Sequence, residues 1–377
     1  MNICVISPSF PTAKTIDFVF VDQLCRAFAD LGNQVTVIAP QSITKCLMRG
    51  VPISRVHSFY KTSNGNSVEL YRPYTITSGN GRLKNLFKDS YQKAVKRAFK
   101  RLKNKPDVCY GHFWGSIASV YPLAKAFDIP LFGASGEENV AQYANFTEGF
   151  KKELREYMSG AISVSTKNQN ECIELKLVGK AKSIVIPNAI DQKLFGKQDK
   201  SALRERHGLM SSDFVVAFVG QFVPRKGTLR LNEALKKLND KDIKAIFMGS
   251  GAECPDYDGI IFKGTVPHDK LPEYLGAADV FVLPTENEGC CNAIIEAMAC
   301  GLPIISTDAA FNYDVLNSGN SIMIDCHSIE QIAESIKRLK DDEKLRASLA
   351  IGALKTASDL SIDKRAKRII DFMKSKK

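Results

Sequence analysis

The chain has 377 residues, with 52 lysines and arginines against 41 aspartates and glutamates, and a formal net charge of +11. Hydrophobic residues make up 44% of it and charged residues 25%, which is typical of a globular protein. No apolar run reaches the roughly 18 residues that a membrane-spanning helix needs. The length predicts two domains rather than one, and the positive charge predicts an anionic partner such as phosphates, nucleic acid or an acidic membrane.

The first residues and the cysteines indicate a compartment. The stretch 1–8 is expected to be a strand and a loop, because it lacks the basic region and the longer apolar region of a signal peptide. The ten cysteines form no CxxC pair and no metal-binding spacing with histidine. Several of them, such as Cys4 and Cys109, lie within apolar runs, as reduced buried thiols do. We therefore expect a cytoplasmic protein.

The first half alternates strand-like and helix-like segments, as a doubly wound α/β domain does. A helix is expected at 20–31, where apolar residues share one face and Gly32 ends the pattern. The expected strands of this half lie at 2–7, 34–39, 68–72, 107–112, 130–134, 161–165 and 183–191. His112 falls at the carboxyl end of its strand, where ligands bind in such sheets. A structural and a ligand-binding interpretation of this histidine are equally open.

The segment 82–105 is strongly basic, with ten lysines and arginines against Asp89. Apolar residues recur at three- and four-residue steps over 82–103, which predicts an amphipathic helix with a basic polar face. It is either a core-packed helix with a solvated face or a helix that presents cations to anionic lipid head groups. No recognised nucleic-acid motif accompanies the charge, so we expect no nucleic-acid partner.

The second half repeats the alternation after a polar linker at 192–201. Its expected strands are short apolar runs of the kind found in parallel sheets, and they lie at 214–220, 244–248, 259–262, 279–283, 304–307 and 322–324. Its expected helices lie at 228–238, 271–275, 292–300, 328–340 and 343–357. A final amphipathic helix is expected at 362–373.

Three strand-end segments of the second half carry chemistry. Arg225 and Lys226 stand beside Gly227 at the start of the helix 228–238, where the helix N-terminus and two cations favour an anion. The arginine fork and the lysine point charge together suit a diphosphate. The strand at 244–248 ends in the glycine turn 249–251, where backbone can approach a ligand closely.

The third segment contains two carboxylates, Glu288 and Glu296, with seven residues between them. The helix 292–300 is apolar on nearly every side, and an ionised carboxylate buried on it costs several kcal/mol unless a partner satisfies it. A neighbouring Arg or Lys would be a structural partner, and ligand hydroxyls would be a functional one. Beside the Arg225–Lys226 loop and the glycine turn, we prefer the ligand interpretation. The set describes a site for a nucleotide diphosphate sugar.

These motifs in combination resemble the retaining glycosyltransferases of family 4. The resemblance rests on 220–227, on 249–251, and on the two glutamates with the sequence Ala-Met-Ala-Cys-Gly-Leu-Pro after Glu296. It implies an α/β protein with the GT-B fold, in which two Rossmann-like doubly wound domains face each other across a cleft and the C-terminal helix crosses back to the first domain. The expected domains are 1–190 with 360–377, on the acceptor side, and 191–359, which binds the nucleotide sugar.

The resemblance also implies roles for individual residues. Arg225, Lys226, Glu288 and His112 would be catalytic: the two cations would hold the diphosphate, Glu288 the donor sugar, and His112 would lie near the reacting sugar. Glu296 would bind the ribose hydroxyls, and the backbone at Val266 would meet the base. The residues expected around the donor are Gly220, Gly249, Gly251, Val266, Gly289, Cys290, Cys291, Asn292 and Glu296.

The implied reaction moves a sugar, most commonly from a UDP-sugar, to a hydroxyl of a saccharide or lipid-linked saccharide acceptor in cell-surface polysaccharide synthesis. Such enzymes retain configuration and need neither a metal nor another cofactor. The leaving diphosphate would receive the acceptor proton on the same face, so catalysis would consist of positioning and of stabilising the departing charge. A cytoplasmic protein, at or near the membrane, is the implied location.

Two departures concern the acceptor side. The loop 9–18 lacks the glycines common in the family, with Asp17 in place of one, and Ser135-Gly136 stands where a His-Gly pair is frequent. The letters DxD at 240–242 and 256–258 match metal-dependent transferases but fall in expected surface turns. The alternatives are a sugar-nucleotide epimerase of similar architecture and a non-catalytic protein that binds a nucleotide sugar or another polyanion.

Overall fold

The structure is a computed structural model that describes residues 1–12, 15, 17–76 and 89–376. The chain divides into two compact units, of which the first contains 1–186 and the residues from 362 onward, and the second contains 187–361. The expected boundaries lay at 190/191 and 359/360. Each unit is built on a parallel sheet with helices, so the α/β class is confirmed.

The first unit has ten strands in its described residues: β1 (Asn2–Ile6), β2 (Gln34–Ile38), β3 (Gln41–Ser42), β4 (His57–Lys61), β5 (Ser67–Tyr71), β6 (Tyr74–Thr75), β7 (Val108–His112), β8 (Leu131–Ser135), β9 (Gly160–Ser163) and β10 (Ser183–Val185). Eight of them form one sheet in the order β10-β9-β8-β7-β1-β2-β5-β4. All its pairings are parallel except that of β4 with β5. The short strands β3 and β6 pair separately.

The helices of the first unit are α1 (Val19–Asp30), α2 (Ile43–Met48), α3 (Ser90–Phe99), α4 (Trp114–Ala126), α5 (Glu148–Tyr157), α6 (Thr166–Glu174) and, from the end of the chain, α13 (Ile362–Ser375). The last helix is part of this unit, as the expected fold requires. Its residues Ala366, Ile369 and Met373 are fully buried in the same core as Val21 and Phe28 of α1.

The basic helix differs from its expected length. Residues 82–88 lie outside the described residues, and α3 begins at Ser90 and ends at Phe99, four residues before the expected end. After Phe99 the α-helical pattern gives way to tighter turns, in which the N–H of Arg101 donates to the Ala98 carbonyl at 2.9 Å and that of Leu102 to the Phe99 carbonyl at 3.2 Å. Ala94, Val95 and Ala98 are buried in the core while the lysines of the opposite face are exposed. The core-packed interpretation therefore describes α3, and its exposed cations leave lipid binding as a prediction.

The second unit contains a six-stranded parallel sheet, in the order β13-β12-β11-β14-β15-β16 among its described residues. The strands are β11 (Phe214–Val219), β12 (Ile243–Met248), β13 (Ile260–Gly264), β14 (Val280–Leu283), β15 (Ile304–Thr307) and β16 (Ser321–Ile324). The helices are α7 (Lys200–Arg206), α8 (Thr228–Leu238), α9 (Leu271–Ala277), α10 (Asn292–Ala299), α11 (Ile329–Asp341) and α12 (Glu343–Asp359). Across the described part of the chain, no helix is long and apolar enough to span a bilayer.

Candidate active site

The candidate site in the second unit lies where the strand order of its sheet reverses. The chain runs outward from β11 through β12 to β13, then returns to place β14 beside β11 and continues to β15 and β16. The loops after β11 and β14 therefore leave the same edge of the sheet as neighbours. Ligands of open α/β sheets bind outside the carboxyl ends of the strands at such a reversal.

Arg225 and Lys226 follow β11 and contact Glu288, which follows β14. Lys226 Nζ donates a hydrogen bond to Glu288 Oε1 at 2.5 Å, and Arg225 Nη1 donates to the same oxygen at 3.1 Å. Arg225 Nη1 also donates to the Asn287 carbonyl at 2.7 Å, and Thr285 Oγ1 donates to Glu288 Oε1 at 2.9 Å. Two of the expected catalytic residues, Arg225 and Lys226, thus bind the same oxygen of a third, Glu288.

The cluster is largely removed from water, which strengthens its charge–charge interactions. The side chains of Lys226 and Glu288 are 14% and 11% exposed. Burial disfavours the Lys226 ammonium, but the influence of Cys291 and Glu288 outweighs it, and the pKa of Lys226 is raised above its ordinary value. Because the thiol of Cys291 is neutral at physiological pH, Glu288 is the counter-ion that holds this charge.

Two glycines allow the loops of this site to pack closely. Gly227 begins α8 with a φ of 75°, and a Cβ there would lie 2.4 Å from the Pro284 carbonyl oxygen. A Cβ on Gly249 would lie 1.8 Å from the Gly220 carbonyl oxygen. At both glycines the close neighbour is the backbone of an adjacent loop. For the turn 249–251, the sequence predicted a close approach to a ligand instead. Because neither glycine has a side chain, the loops that carry the charged residues can lie this close together.

Gly251 and Val266 lie in the turns after β12 and β13. A Cβ on Gly251 would lie 2.2 Å from the Phe222 carbonyl oxygen, so this turn packs on the loop after β11. Val266 is half-buried. The Gly249 N–H donates to the Gly264 carbonyl at 2.8 Å and joins the two turns.

Glu296 has a structural partner that the sequence analysis missed. His268 Nε2 lies 2.8 Å from Glu296 Oε1, whose side chain is 9% exposed. This hydrogen bond raises the pKa of His268, against the opposing effect of its burial. The expected partners were a lysine, an arginine or ligand hydroxyls. A signal was available in the sequence, because His268 lies two residues after Val266, which was already placed at the donor.

The residues before α10 complete this face of the unit. Gly289, Cys290 and Cys291 are buried, and Asn292 is half-buried. Asn188 Nδ2 donates to the Cys290 carbonyl at 2.9 Å and fixes the loop. Burial raises the pKa of the Cys291 thiol to about 11, so the thiol is protonated at neutral pH. No side-chain hydrogen bond caps the start of α10 in the described residues, but the N–H groups of Ala293 and Ile294 lie near the Cys291 sulfur and lower its pKa against the effect of burial. The N-terminus of a helix favours an anionic ligand.

His112 lies in the first unit, whereas the other expected site residues lie in the second. It ends β7, is 5% exposed, and contacts the rings of Phe20 and Phe113, whose centroids lie 5.3 and 4.7 Å from its own. Burial and the charge of Arg365 lower the pKa of His112 to about 3. His112 Nδ1 is buried and has no hydrogen-bond partner among the described residues. His112 is therefore a neutral imidazole at the carboxyl end of its strand.

The strand order of the first unit also reverses, between β1 and β7, and a cavity of about 720 Å³ lies there. Phe113, which lines it, has a φ of 71°, a conformation that costs free energy for a residue with a side chain. Glu137 also lines it, and its carboxylate accepts hydrogen bonds from the N–H of Trp114 at 2.8 Å and from Ser135 Oγ at 2.8 Å. Burial raises the pKa of Glu137. The sequence analysis missed Glu137, although it had singled out the strand end just before it.

The DxD letters occur in ion pairs with lysines. Asp256 Oδ1 lies 2.7 Å from Lys236 Nζ, and Asp240 Oδ2 lies 2.5 Å from Lys340 Nζ. Among the described residues, no group of three or more His, Cys, Asp or Glu side chains is arranged to hold a metal ion.

Comparison with known proteins shows which proteins this chain resembles. Residues 199–356 match the family described as glycosyl transferases group 1. A protein of Bacillus subtilis (strain 168) named for teichuronic acid biosynthesis, the glycosyltransferase TuaC, is 27% identical over 368 residues, which cover 93% of this chain and 92% of that protein. The UDP-Gal:alpha-D-GlcNAc-diphosphoundecaprenol alpha-1,3-galactosyltransferase of Escherichia coli is 29% identical, over 56% of this chain and 59% of its own.

Solved structures share the architecture of both units. The sucrose-phosphate synthase of Thermosynechococcus elongatus superposes with a TM-score of 0.79 at 18% identity, over 99% of this chain and 98% of its own. Anabaena Alr3699/HepE, solved with UDP and glucose, superposes with a TM-score of 0.71 at 19% identity over the whole of both chains. These likenesses confirm the GT-B fold. The matched region, 199–356, lies within the second unit and contains Arg225, Lys226, Glu288 and Glu296.

Proposed function

We propose that this protein is a group 1 glycosyltransferase, and specifically a retaining, metal-independent enzyme of family 4. It transfers a sugar from a nucleotide diphosphate sugar, a UDP-sugar, to a hydroxyl of a saccharide or lipid-linked saccharide acceptor. The observation that supports it best is the convergence of Arg225 and Lys226 on Glu288 at the strand reversal of the second unit. Two cations and a carboxylate at this edge suit a diphosphate that is linked to a sugar.

The cations supply the stabilisation that the leaving group needs. As the bond between the sugar and the diphosphate breaks, negative charge develops on the diphosphate oxygens. Arg225 can share that charge through a two-pronged hydrogen bond and Lys226 through a short ionic one. Both form ion pairs with Glu288, which orients them. Because their positions are fixed before the reaction, little reorganisation accompanies bond breaking.

The carboxylates supply hydroxyl recognition. A diphosphate that contacts Arg225 and Lys226 takes over part of the role of Glu288, whose oxygens can then accept hydrogen bonds from the donor sugar. Glu296, within α10, would accept hydrogen bonds from the ribose hydroxyls, while His268 contacts one of its oxygens. The backbone at 289–292 lies between these two carboxylates. The donor thereby contacts the site along its whole length, which fixes the reacting carbon in position.

Retention follows from an exchange on one face of the sugar. The acceptor hydroxyl approaches on the side from which the diphosphate departs, and its proton passes to a diphosphate oxygen as the new bond to the anomeric carbon forms. In this scheme the charge on the leaving group is stabilised by Arg225 and Lys226, so no metal ion is required. We also propose that His112, a neutral imidazole, acts as a hydrogen-bonding group for the reacting sugar.

The names of the relatives support the substrate class. The Escherichia coli relative is named for a UDP-Gal donor and a GlcNAc-diphosphoundecaprenol acceptor, and the Bacillus subtilis relative for teichuronic acid biosynthesis. The Anabaena structure contains UDP and glucose. The corresponding role here is the synthesis of a cell-surface polysaccharide from a UDP-sugar in the cytoplasm.

The basic segment 82–105 is proposed to attach the enzyme to the cytoplasmic face of the membrane. We expect the protein to sediment with vesicles that contain anionic lipid and not with neutral vesicles, and salt should weaken this binding because it screens surface charges. Equal sedimentation with both kinds of vesicle would contradict an electrostatic attachment.

A panel of nucleotide sugars tests the function, with released nucleotide diphosphate as the readout. Wild-type protein should release it, slowly by hydrolysis or faster by transfer, from at least one UDP-sugar and without added metal. Lys226→Ala and Glu296→Ala should each reduce turnover by at least about tenfold, which corresponds to about 1.4 kcal/mol of lost charged hydrogen bonding. Conversion of the donor to an epimer without release would instead identify an epimerase. Tight binding without turnover would identify a non-catalytic binding protein.

A further inference from the structure

A second cavity of the first unit, of about 410 Å³, lies at the carboxyl ends of three neighbouring strands. Pro8 follows β1, Pro40 follows β2 and Arg72 follows β5, and all three residues line it. This is the edge at which open α/β sheets bind their ligands. None of the residues that line this cavity was assigned a role above.

The charged side chains around the cavity are mostly cations. Among the described residues that line it, Lys45, Arg49 and Arg72 are positive and Asp17 alone is negative. Arg49 Nη1 lies 3.6 Å from Asp17 Oδ2, but both side chains are at least half exposed, and such a pair binds weakly. The ammonium of Lys45 forms no hydrogen bond or ion pair with any described residue. The cavity therefore carries an excess of positive charge.

Arg72 is the cation whose position demands a partner. It is 7% exposed and donates two hydrogen bonds to backbone, to the Phe10 carbonyl at 3.1 Å and to the Pro11 carbonyl at 2.5 Å. A guanidinium has five N–H donors, and no carboxylate of the described residues forms an ion pair with this one. Asp22 attracts this guanidinium through space but pairs directly with Arg26, and the guanidinium lies 5.6 Å from the Phe10 ring centroid. Burial of a charge is costly, and an anion within the cavity would offset more of that cost.

The neighbouring 720 Å³ cavity has the opposite character. It shares Pro8, Phe18 and Tyr91 with the cationic cavity, so the two are continuous along the sheet edge. Its own polar lining includes the carboxylate of Glu137 and the amide of Gln142. Carboxylates and amides suit hydroxyl groups, whereas arginine and lysine suit phosphate oxygens. A molecule with a sugar and a phosphate would find a matching surface for each.

We propose that the cavity lined by Lys45, Arg49 and Arg72 binds a phosphate group of the acceptor, and so orients the acceptor's saccharide in the adjacent cavity. This proposal rests on the proposed glycosyl transfer, and it assigns the acceptor to phosphate-bearing compounds. The phosphate can belong to a soluble sugar phosphate or to a lipid. Leu47 and Met48, on the same helix as Lys45, are 71% and 84% exposed and would contact the apolar part of a lipid carrier.

Amide hydrogen exchange of the full chain tests this assignment. The probes are glycerol 3-phosphate, for a soluble phosphate, and vesicles of phosphatidylcholine with phosphatidic acid, for a lipid-borne one. Sodium chloride of equal ionic strength and pure phosphatidylcholine vesicles are the controls. We expect the phosphate probe to slow exchange in peptides covering 41–54, and its apparent affinity to fall by at least about tenfold in the Lys45→Gln/Arg49→Gln double variant, because charge-assisted hydrogen bonds are lost.

Two further variants locate the effect. Lys152→Gln removes an exposed cation from α5 of the same unit and should leave the protection of 41–54 unchanged. Lys226→Gln alters the other predicted phosphate site, in the second unit, and should also leave it unchanged. Both variants separate binding at this cavity from a general attraction between the protein and anions.

The outcomes are distinct. Protection by glycerol 3-phosphate that the double variant loses supports a phosphate subsite, and protection by phosphatidic acid vesicles alone supports one that requires a lipid carrier. Equal protection by the chloride and phosphatidylcholine controls, protection that survives in the double variant, or no protection by either probe overturns the proposal. Donor hydrolysis by the wild-type protein in the same preparation tests the proposed function separately, so either can fail without the other.

Discussion

The Glu288→Gln variant tests whether the proposed donor site of the second unit is organised around one carboxylate. The substitution keeps the shape of the side chain and removes the charge that holds Arg225, Lys226 and Thr285 together. Removing one member of a buried ion pair costs roughly 3–5 kcal/mol. Arg225 is 27% exposed and can partly rehydrate, and the amide oxygen can still accept one hydrogen bond. We therefore expect a loss of about 2 kcal/mol in the stability of this site.

The same reasoning predicts how the variant responds to ligand. UDP brings a diphosphate that can act as counter-ion to both cations, so it should stabilise Glu288→Gln more than it stabilises the wild type. Because the chain has two units, a single unfolding free energy is not defined for it. Amide exchange in peptides covering 221–238 and 284–300 measures the local stability instead, with and without UDP.

Glu286→Gln is the matched control for this experiment. Glu286 lies two residues away and pairs with Arg230 at 2.8 Å, but its side chain is 38% exposed. Exposed pairs contribute at most about 1 kcal/mol, so this variant should change local exchange little and should respond to UDP as the wild type does. If Glu288→Gln proved no less stable than Glu286→Gln, or if UDP stabilised the two equally, the counter-ion role of Glu288 would be refuted.

Three further predictions concern single residues. Glu296 raises the pKa of His268. The bond between the two side chains therefore stabilises the second unit fully below about pH 6.5. This stabilisation is lost as the pH rises through the folded-state pKa of His268. His268→Gln should therefore destabilise the second unit more at pH 6 than at pH 9. The pKa of His112 is lowered to about 3 in the folded protein. Between about pH 6.5 and 3 this histidine is therefore protonated in the unfolded chain and neutral in the folded one, so the stability of the first unit should fall as the pH drops through that range. His112→Asn should remove that part of the acid sensitivity. Gly249→Ala should destabilise the second unit by about 2 kcal/mol or more, because its Cβ would overlap the Gly220 carbonyl.

Controls accompany these three variants. Gly196→Ala, where the nearest atom to a new Cβ lies 4.0 Å away, should change stability by less than about 0.5 kcal/mol. Equal effects of the two glycine substitutions would contradict the steric argument. If the stability of the second unit changed with pH in the same way in the wild type and in His268→Gln, the histidine–glutamate bond would be excluded as a source of its pH dependence. If His112→Asn lost stability between about pH 6.5 and 3 as the wild type does, His112 would not set the acid stability of the first unit.

Elements with strong local signals could be predicted closely from the sequence. Both α8 and β15 have the expected bounds, because apolar periodicity and the flanking glycine or proline residues define them without help from the rest of the fold. The edge strand β4 was missed, since it packs only one face and its residues alternate between exposed and half-buried. The helix α4 was missed too. Pro122 lies inside it, and a proline normally indicates a break.

The candidate site shows the same division between local and distant information. Arg225, Lys226 and Glu288 could be brought together from the sequence, because the carboxyl ends of parallel strands meet at one edge of the sheet. For the bond between His268 and Glu296, the sequence offered only one signal, the position of His268 two residues after Val266. The bond itself depends on how the segment before α9 packs against α10, which no periodicity encodes. Glu137 likewise depends on a distant contact, because one of its hydrogen bonds comes from the N–H of Trp114 at the start of α4.

The place of α13 in the core has a consequence for synthesis on the ribosome. The second unit is one continuous stretch, 187–361, so all of its residues leave the ribosome before the first unit has received its last helix. Until residues 362–375 emerge, the apolar surface that Ile369 and Met373 will cover stays open. The nascent first unit is therefore a natural client for chaperones during that interval, although it is the first to be translated.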